Sequence, residues 1–249
     1  MNMPSRLILS VGMPRAGSGW HYNLTHDLIV ASGGRDAHQV RTRYHLQRIL
    51  TAVNCNIGAL TTRRITLAML PVLFGNTYTI KAHAAPKRLT LALIHRGFVH
   101  AVYIYRDPRD ALLSAYEYGQ RGLHQGRSNA FSTLTTIEKA IDFMQEYVRI
   151  SEAWLRCVDV LHVRYEDLLM DYDAEAARLI HFLHLNVEEL ALREVLDKHC
   201  PQQGQAGRAG MHFVQGKIGR FRQKLTSEQK EQCLHLFGTY LKERGYPLS

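Results

Sequence analysis

Leu7-Ile8-Leu9-Ser10-Val11-Gly12-Met13-Pro14-Arg15-Ala16-Gly17-Ser18-Gly19-Trp20 is the stretch that decides how this chain is built. An apolar run bounded by glycine and proline predicts a short buried strand over Leu7–Val11. Trp20 then opens an apolar-periodic segment through Leu24, Leu28 and Ile29, which predicts a helix over Trp20–Ala31. Strand, glycine-rich turn and helix in that order aim backbone N–H groups and a helix N-terminus at an anion. Gly17 and Gly19 have no Cβ, so the backbone can close tightly there. Arg15 adds a fork of donors suited to phosphate or sulfate oxygens. Taken alone, the same turn also reads as an ordinary strand–helix connection.

Gly12 and Gly17 have the spacing of the nucleoside-triphosphatase loop, but Ser18-Gly19 stands where that loop needs Lys-Ser or Lys-Thr. Without the lysine that reaches the β- and γ-phosphates, a Mg-ATP reading weakens. A second cluster runs from Val102-Tyr103-Ile104-Tyr105-Arg106 through Asp107-Pro108-Arg109-Asp110 to Ser114. Here too a buried strand, Ala101–Tyr105, delivers a basic residue at its carboxyl end. Pro108 suits the first turn of a helix, with Asp107 before it as N-cap. In isolation this segment reads rather as a solvated Arg/Asp surface turn.

Together the two clusters resemble the sulfotransferases that use 3′-phosphoadenosine 5′-phosphosulfate (PAPS). Pro14 to Trp20 is similar to that family's 5′-phosphosulfate loop, and Tyr105 to Ser114 to its 3′-phosphate motif. Thr79-Ile80-Lys81-Ala82-His83 resembles the segment that carries the catalytic base in cytosolic members. Val163-Arg164-Tyr165-Glu166-Asp167-Leu168 and Gly216-Lys217-Ile218-Gly219-Arg220-Phe221 resemble two further family segments, the latter its late glycine-rich loop. The five matches occur in the family's order and span residues 7 to about 226.

The resemblance implies residue roles. Arg15, Ala16, Gly17, Ser18 and Gly19 would hold the 5′-phosphosulfate, and Trp20 would stack on adenine, for which its indole offers a rigid face. A core tryptophan is the plainer reading of Trp20. Arg106 and Ser114 would bind the 3′-phosphate, Tyr165 would lie near the adenine, and Gly216 and Lys217 would close the donor site. His83 would be the general base, with Lys81 and Arg15 stabilising the departing phosphate. Glu117 and Asp36 are the carboxylates that could assist or replace His83. Val214-Gln215-Gly216 departs from the family's Arg-Lys-Gly, leaving Arg208, Lys217 or Arg220 as substitutes. The implied reaction is in-line transfer to a hydroxyl, or less readily an amine, of a small molecule, with no metal. Tailoring of a natural product is the implied role. A P-loop-type kinase and a non-catalytic nucleotide- or nucleic-acid-binding protein are the alternatives.

At 249 residues the chain fits one domain over 1–249, and 46% hydrophobic residues exclude a disordered chain. No apolar stretch is long enough to span a membrane, and the N-terminus lacks a secretory pattern, so a cytoplasmic protein is expected. Cys55, Cys157, Cys200 and Cys233 are too scattered for a metal site or a disulfide framework. The net charge of +9 is partly explained by an anionic donor, and no nucleic-acid partner is expected. Alternating patterns predict an α/β fold with a mainly parallel sheet flanked by helices on both faces. The remaining strands are expected at Tyr78–Lys81 and Val160–Arg164. Further helices are expected at Arg109–Gly119, Thr136–Arg156, Ala174–Leu183, Val187–Lys198 and Ser227–Arg244. The glycine-bearing segments Gly119–Thr135 and Gln202–Gly216 read as mobile substrate loops or as plain surface loops.

Overall fold

The computed structural model describes residues 5–201 and 217–249. Four parallel strands form one sheet in the order β2-β1-β3-β4, namely β1 (Leu7–Gly12), β2 (Tyr78–Ala82), β3 (Val99–Tyr105) and β4 (Val160–Arg164). Register pairs Leu9 with Ile80 on one side and with Ala101 on the other. Every residue of β1 is buried, as its uninterrupted apolar run requires of a central parallel strand. The chain leaves β1 toward β2 and returns on β1's other side to β3. The carboxyl ends of β1 and β3 therefore border the crevice where such sheets bind ligands.

Alternation along β1 separates two cores. Leu7, Leu9 and Val11 pack with Ile65, Ala68 and Val72 of α3 (Thr62–Leu73), Ile94 of α4 (Arg88–His95) and Trp154 of α6 (Ile137–Leu155). Ile8 faces the other way, onto Leu24 and Leu28 of α1 (Ser18–Ala31), Leu168 of α7 (Tyr165–Met170) and Leu179 of α8 (Tyr172–Phe182). The helix α9 (Glu189–His199) joins this second layer through Leu192 and Val195. Each fully buried Leu or Ile contributes about 1.5–3 kcal/mol through apolar burial. A third cluster joins Met13 and Ala16 to α5 (Pro108–His124), α6, α10 (Phe221–Lys224) and α11 (Ser227–Glu243).

The cap signals hold. The Asp107 carboxylate accepts from the backbone N–H of Arg109 to start α5, and Thr226 and Gln229 form a reciprocal capping box at α11. Five helices lie where no helix was expected, namely α2 (Ala37–Arg43), α3, α4, α7 and α10. α3 carries Pro71 inside it, a residue that masks helical periodicity. The expected loop over Gly119–Thr135 is half wrong, because α5 continues to His124. Gly119 and Gly122 serve as crossing points rather than hinges. A Cβ on Gly119 would stand 2.2 Å from the Phe131 carbonyl oxygen, and one on Gly122 2.3 Å from the Asn129 side chain. The second expected loop, Gln202–Gly216, lies outside the described residues.

Candidate active site

A cavity of about 550 Å³ opens at the carboxyl ends of β1, β2 and β3. The turn after β1 supplies Arg15, Gly17, Ser18, Gly19 and Trp20 to its wall. Gly17 has φ 76°, a left-handed conformation that favours glycine, and a Cβ there would stand 2.7 Å from the Tyr165 ring. Both the turn and its close approach to Tyr165 therefore need glycine at 17. Arg15 also adopts a positive φ, 64°. Ala16 does not reach the cavity, since its side chain is fully buried in the third core cluster beside Met13.

β2 brings the next pair. Lys81 lies in the strand, and His83 follows its last residue. Both line the cavity. The His83 Nδ1 atom lies 2.6 Å from the Gly12 carbonyl oxygen. A carbonyl can only accept, so Nδ1 carries the hydrogen and Nε2 keeps its lone pair. Burial first and the Lys81 charge second push the His83 pKa down to about 4, so the ring is neutral. Burial and the neighbouring Arg15 charge bring Lys81 down to about 8.

From β3 and the start of α5 come Arg106 and Ser114. The Arg106 guanidinium donates to the Arg15 carbonyl at 3.3 Å and to the Lys217 carbonyl at 3.0 Å. It also lies 4.3 Å from the centre of the Tyr165 ring. Its Nε is buried with no partner among the described residues. Asp110 accepts from the backbone N–H groups of Gly219 at 2.6 Å and Phe221 at 3.1 Å, which fixes the late turn against α5. This clamp was within reach of the sequence, because Asp110 belongs to the same motif as Arg106. The Nε of Arg15 donates to Ser114 Oγ at 3.2 Å, while its guanidinium lies 4.5 Å from the Tyr118 ring centre. Burial brings the Arg15 pKa down to about 10, partly offset by Tyr118.

The structure thus brings Arg15, Gly17, Ser18, Gly19, Trp20, Lys81, His83, Arg106, Ser114, Tyr165 and Lys217 to one cavity. Trp20 is 4% exposed, donates its indole N–H to the His199 carbonyl, and stacks on Tyr172 with ring centres 6.0 Å apart. It is at once a core residue and part of the cavity wall. Of the other substitutes for the late loop, Arg220 also lines the cavity and pairs with Glu117. Neither of the two alternative carboxylates lines it. Glu117 is held by Arg220, and Asp36 caps α2 by accepting from Gln39. Gly216, Val214, Gln215 and Arg208 lie outside the described residues.

Sequence reasoning missed the other end of the cavity. Thr51, Asn54, Asn56, Phe131, Phe143 and Tyr147 also line it. The Asn129 side chain fixes Phe131 in place, accepting from the Phe131 N–H at 2.8 Å and donating to the Tyr118 carbonyl at 3.1 Å. No motif announces these residues. The signal available was the pair of glycines at 119 and 122, one helical turn apart, where a chain can cross a helix closely.

A family model, the sulfotransferase domain, matches residues 5–245. Human sulfotransferase 4A1 is 28% identical over 129 residues, covering 49% of this chain and 44% of that protein. The mouse protein of the same name is 26% identical over the same length. The matched stretch thus spans less than half the length of these relatives. Among solved structures, mouse sulfotransferase SULT7A1 complexed with PAP superposes with a TM-score of 0.60 at 14% identity, over 96% of this chain and 85% of that one. Retinol dehydratase in complex with androsterone and inactive cofactor PAP gives 0.56 at 17% identity, over 97% and 82%. These structural likenesses show a shared fold. The family model runs from the first strand through the turns after β1 and β3 to the last helix, and the chain belongs to the sulfotransferase domain family.

Proposed function

We propose that this chain transfers a sulfuryl group from PAPS to a hydroxyl of a small-molecule acceptor. The observation that carries the reading is the meeting, in one cavity, of a neutral His83 with a free Nε2 and the cations Arg15, Lys81 and Arg106. The residues present suit a 3′-phosphorylated nucleotide. The partnerless Nε of Arg106 is a donor held for an anion, and α1 starts from its N-cap Gly17 with no side chain capping its first N–H groups. Two solved relatives of the same fold are described as bound to PAP, which agrees with this donor.

PAPS supplies an activated sulfuryl group with a phosphate to leave. In this reading His83 Nε2 takes the proton of the acceptor hydroxyl, and the Gly12 carbonyl steadies the resulting imidazolium through Nδ1. Lys81 and Arg15 hold the negative charge that builds on the leaving side. Ser18 and the N-terminus of α1 bind the 5′ end, Arg106 and Ser114 the 3′-phosphate, and Trp20 with Tyr165 borders the base. The cavity end formed by Thr51, Asn54, Asn56, Phe131, Phe143 and Tyr147 receives the acceptor. The same reading gives the chain a cytoplasmic tailoring role on a hydroxylated small molecule.

Isothermal titration with 3′-phosphoadenosine 5′-phosphate against ADP and ATP, without magnesium, tests the donor assignment. A preference for the 3′-phosphorylated nucleotide of about tenfold or more, lost in Arg106→Ala, is expected for one charge-assisted contact. Equal binding of all three nucleotides overturns it, and magnesium-dependent ATP turnover would replace it with a kinase.

A further inference from the structure

Charge is segregated along this chain to an unusual degree. Between Asp36 and Asp107 run seventy residues without a single carboxylate and with ten lysines and arginines. Since the whole chain carries +9, this stretch accounts for all of the excess. Arg43, Arg48, Arg63, Lys87, Arg88 and Arg96 are exposed, and none of the six pairs with a carboxylate among the described residues. Arg63 lies in the first turn of α3, and Lys87 and Arg88 begin α4. Cations at helix N-termini oppose the backbone dipole, so their placement works against the stability of those helices.

Residues 165–197 have the reverse character, with nine carboxylates against Arg178 and Arg193. Asp171, Asp173, Glu188, Glu194 and Asp197 are exposed and unpaired with any cation among the described residues. The two regions cover opposite faces of the sheet, with α3 and α4 packed on Leu7, Leu9 and Val11, and α8 and α9 on the side of Ile8. Exposed apolar side chains accompany both. Leu73, Phe74 and Phe98 stand out on the basic side, and Met170 and Leu190 on the acidic side.

We propose that the basic face of α2–α4 docks on the acidic face of α7–α9 in a second copy of this chain. The complementary surface is carried by the molecule itself, and single exposed ion pairs are too weak to hold two proteins without apolar contact beside them. Because the two faces differ, the contact is head-to-tail, and it either closes into a ring or extends.

Sedimentation velocity over a dilution series tests this, in about 50 mM and about 500 mM salt, where screening of exposed charges differs strongly. Association at low salt is expected to weaken about tenfold or more at high salt. Arg63→Glu/Lys87→Glu/Arg88→Glu and Glu188→Lys/Glu194→Lys/Asp197→Lys should each be monomeric alone, with unchanged circular dichroism. Mixing the two should restore association, because each then carries the face that the other lost. A wild type that is monomeric at low salt overturns the proposal. So does association that persists in both variants, or a mixture that stays monomeric. Binding of double-stranded DNA by a monomeric wild type would reassign the basic face to a polyanion.

Discussion

The two ends of the cavity are built by different means. The end that meets the strands is made by backbone. A left-handed Gly17, a carbonyl that fixes His83, and a buried Arg106 reaching back to the carbonyls of Arg15 and Lys217 leave few other residues admissible. The far end is made by side chains on the coil segment 51–56, the turn at Phe131 and the helix α6, where Phe143 and Tyr147 could be exchanged for other apolar residues without breaking a turn. On the function proposed above, donor chemistry rests on constraints of the first kind and acceptor choice on those of the second.

His83→Ala is the strongest test of that contrast. Loss of a general base should lower kcat about 10²–10⁴-fold, while titration with the product nucleotide stays within about twofold. If nucleotide affinity fell as far as turnover, His83 would belong to the donor end rather than to the chemistry. Next in size is Gly17→Ala, which forces a left-handed alanine against Tyr165. The strain amounts to about 1–3 kcal/mol and should appear both as a lower Tm and as weaker nucleotide binding. An unaltered Tm and affinity would show that the turn tolerates what its geometry excludes.

Tyr147→Ala addresses the far end, since Tyr147 lines the cavity whereas Phe131 also packs beside Arg15. Losing one aromatic wall should raise KM for an acceptor about tenfold, in line with the contribution of a buried side chain, with nucleotide affinity untouched. A change in nucleotide affinity instead would mean that the two ends are not separable. The pH profile sharpens the comparison further. In the free enzyme His83 is pushed down to about 4 and Lys81 to about 8. The base is active when unprotonated and the lysine when protonated. kcat/KM should therefore stay level well below pH 6.5, the ordinary histidine value, and begin to fall near pH 8. An acid limb at 6.5 would place the titrating base elsewhere. Thr226→Ala, far from both ends, should cost about 1 kcal/mol by removing half of the capping box, with kcat and KM unchanged.

The same contrast explains what the sequence made legible. The four strands and the turns after β1 and β3 could be read because buried parallel strands write continuous apolar runs and because Gly17, Pro108 and Asp107 have narrow backbone roles. α2, α3, α4, α7 and α10 were missed, α7 and α10 being six and four residues long. α2 is only seven residues long, and Pro71 interrupts the pattern of α3. Glycine spacing in Gly119–Thr135 was taken for flexibility, whereas Gly119 and Gly122 let one piece of chain lie flat on another. The sequence shows a missing side chain equally in both cases, and only the packing tells a hinge from a groove. Asn54, Asn56 and Phe143 could not be found at all, because residues from distant segments meet there without a common motif.

The crossing at Gly119 and Gly122 has a practical reading for anyone wishing to redirect this protein. The strap that follows, Arg127 to Leu134, is anchored by its own hydrogen bonds, among them Asn129 to Tyr118 and Gln120 to Leu134, and no strand passes through it. It can be treated as an interchangeable cassette. New strap sequences that keep Asn129 and the two glycines could be grafted and screened against fresh substrates, while the four strands and His83 remain as inherited.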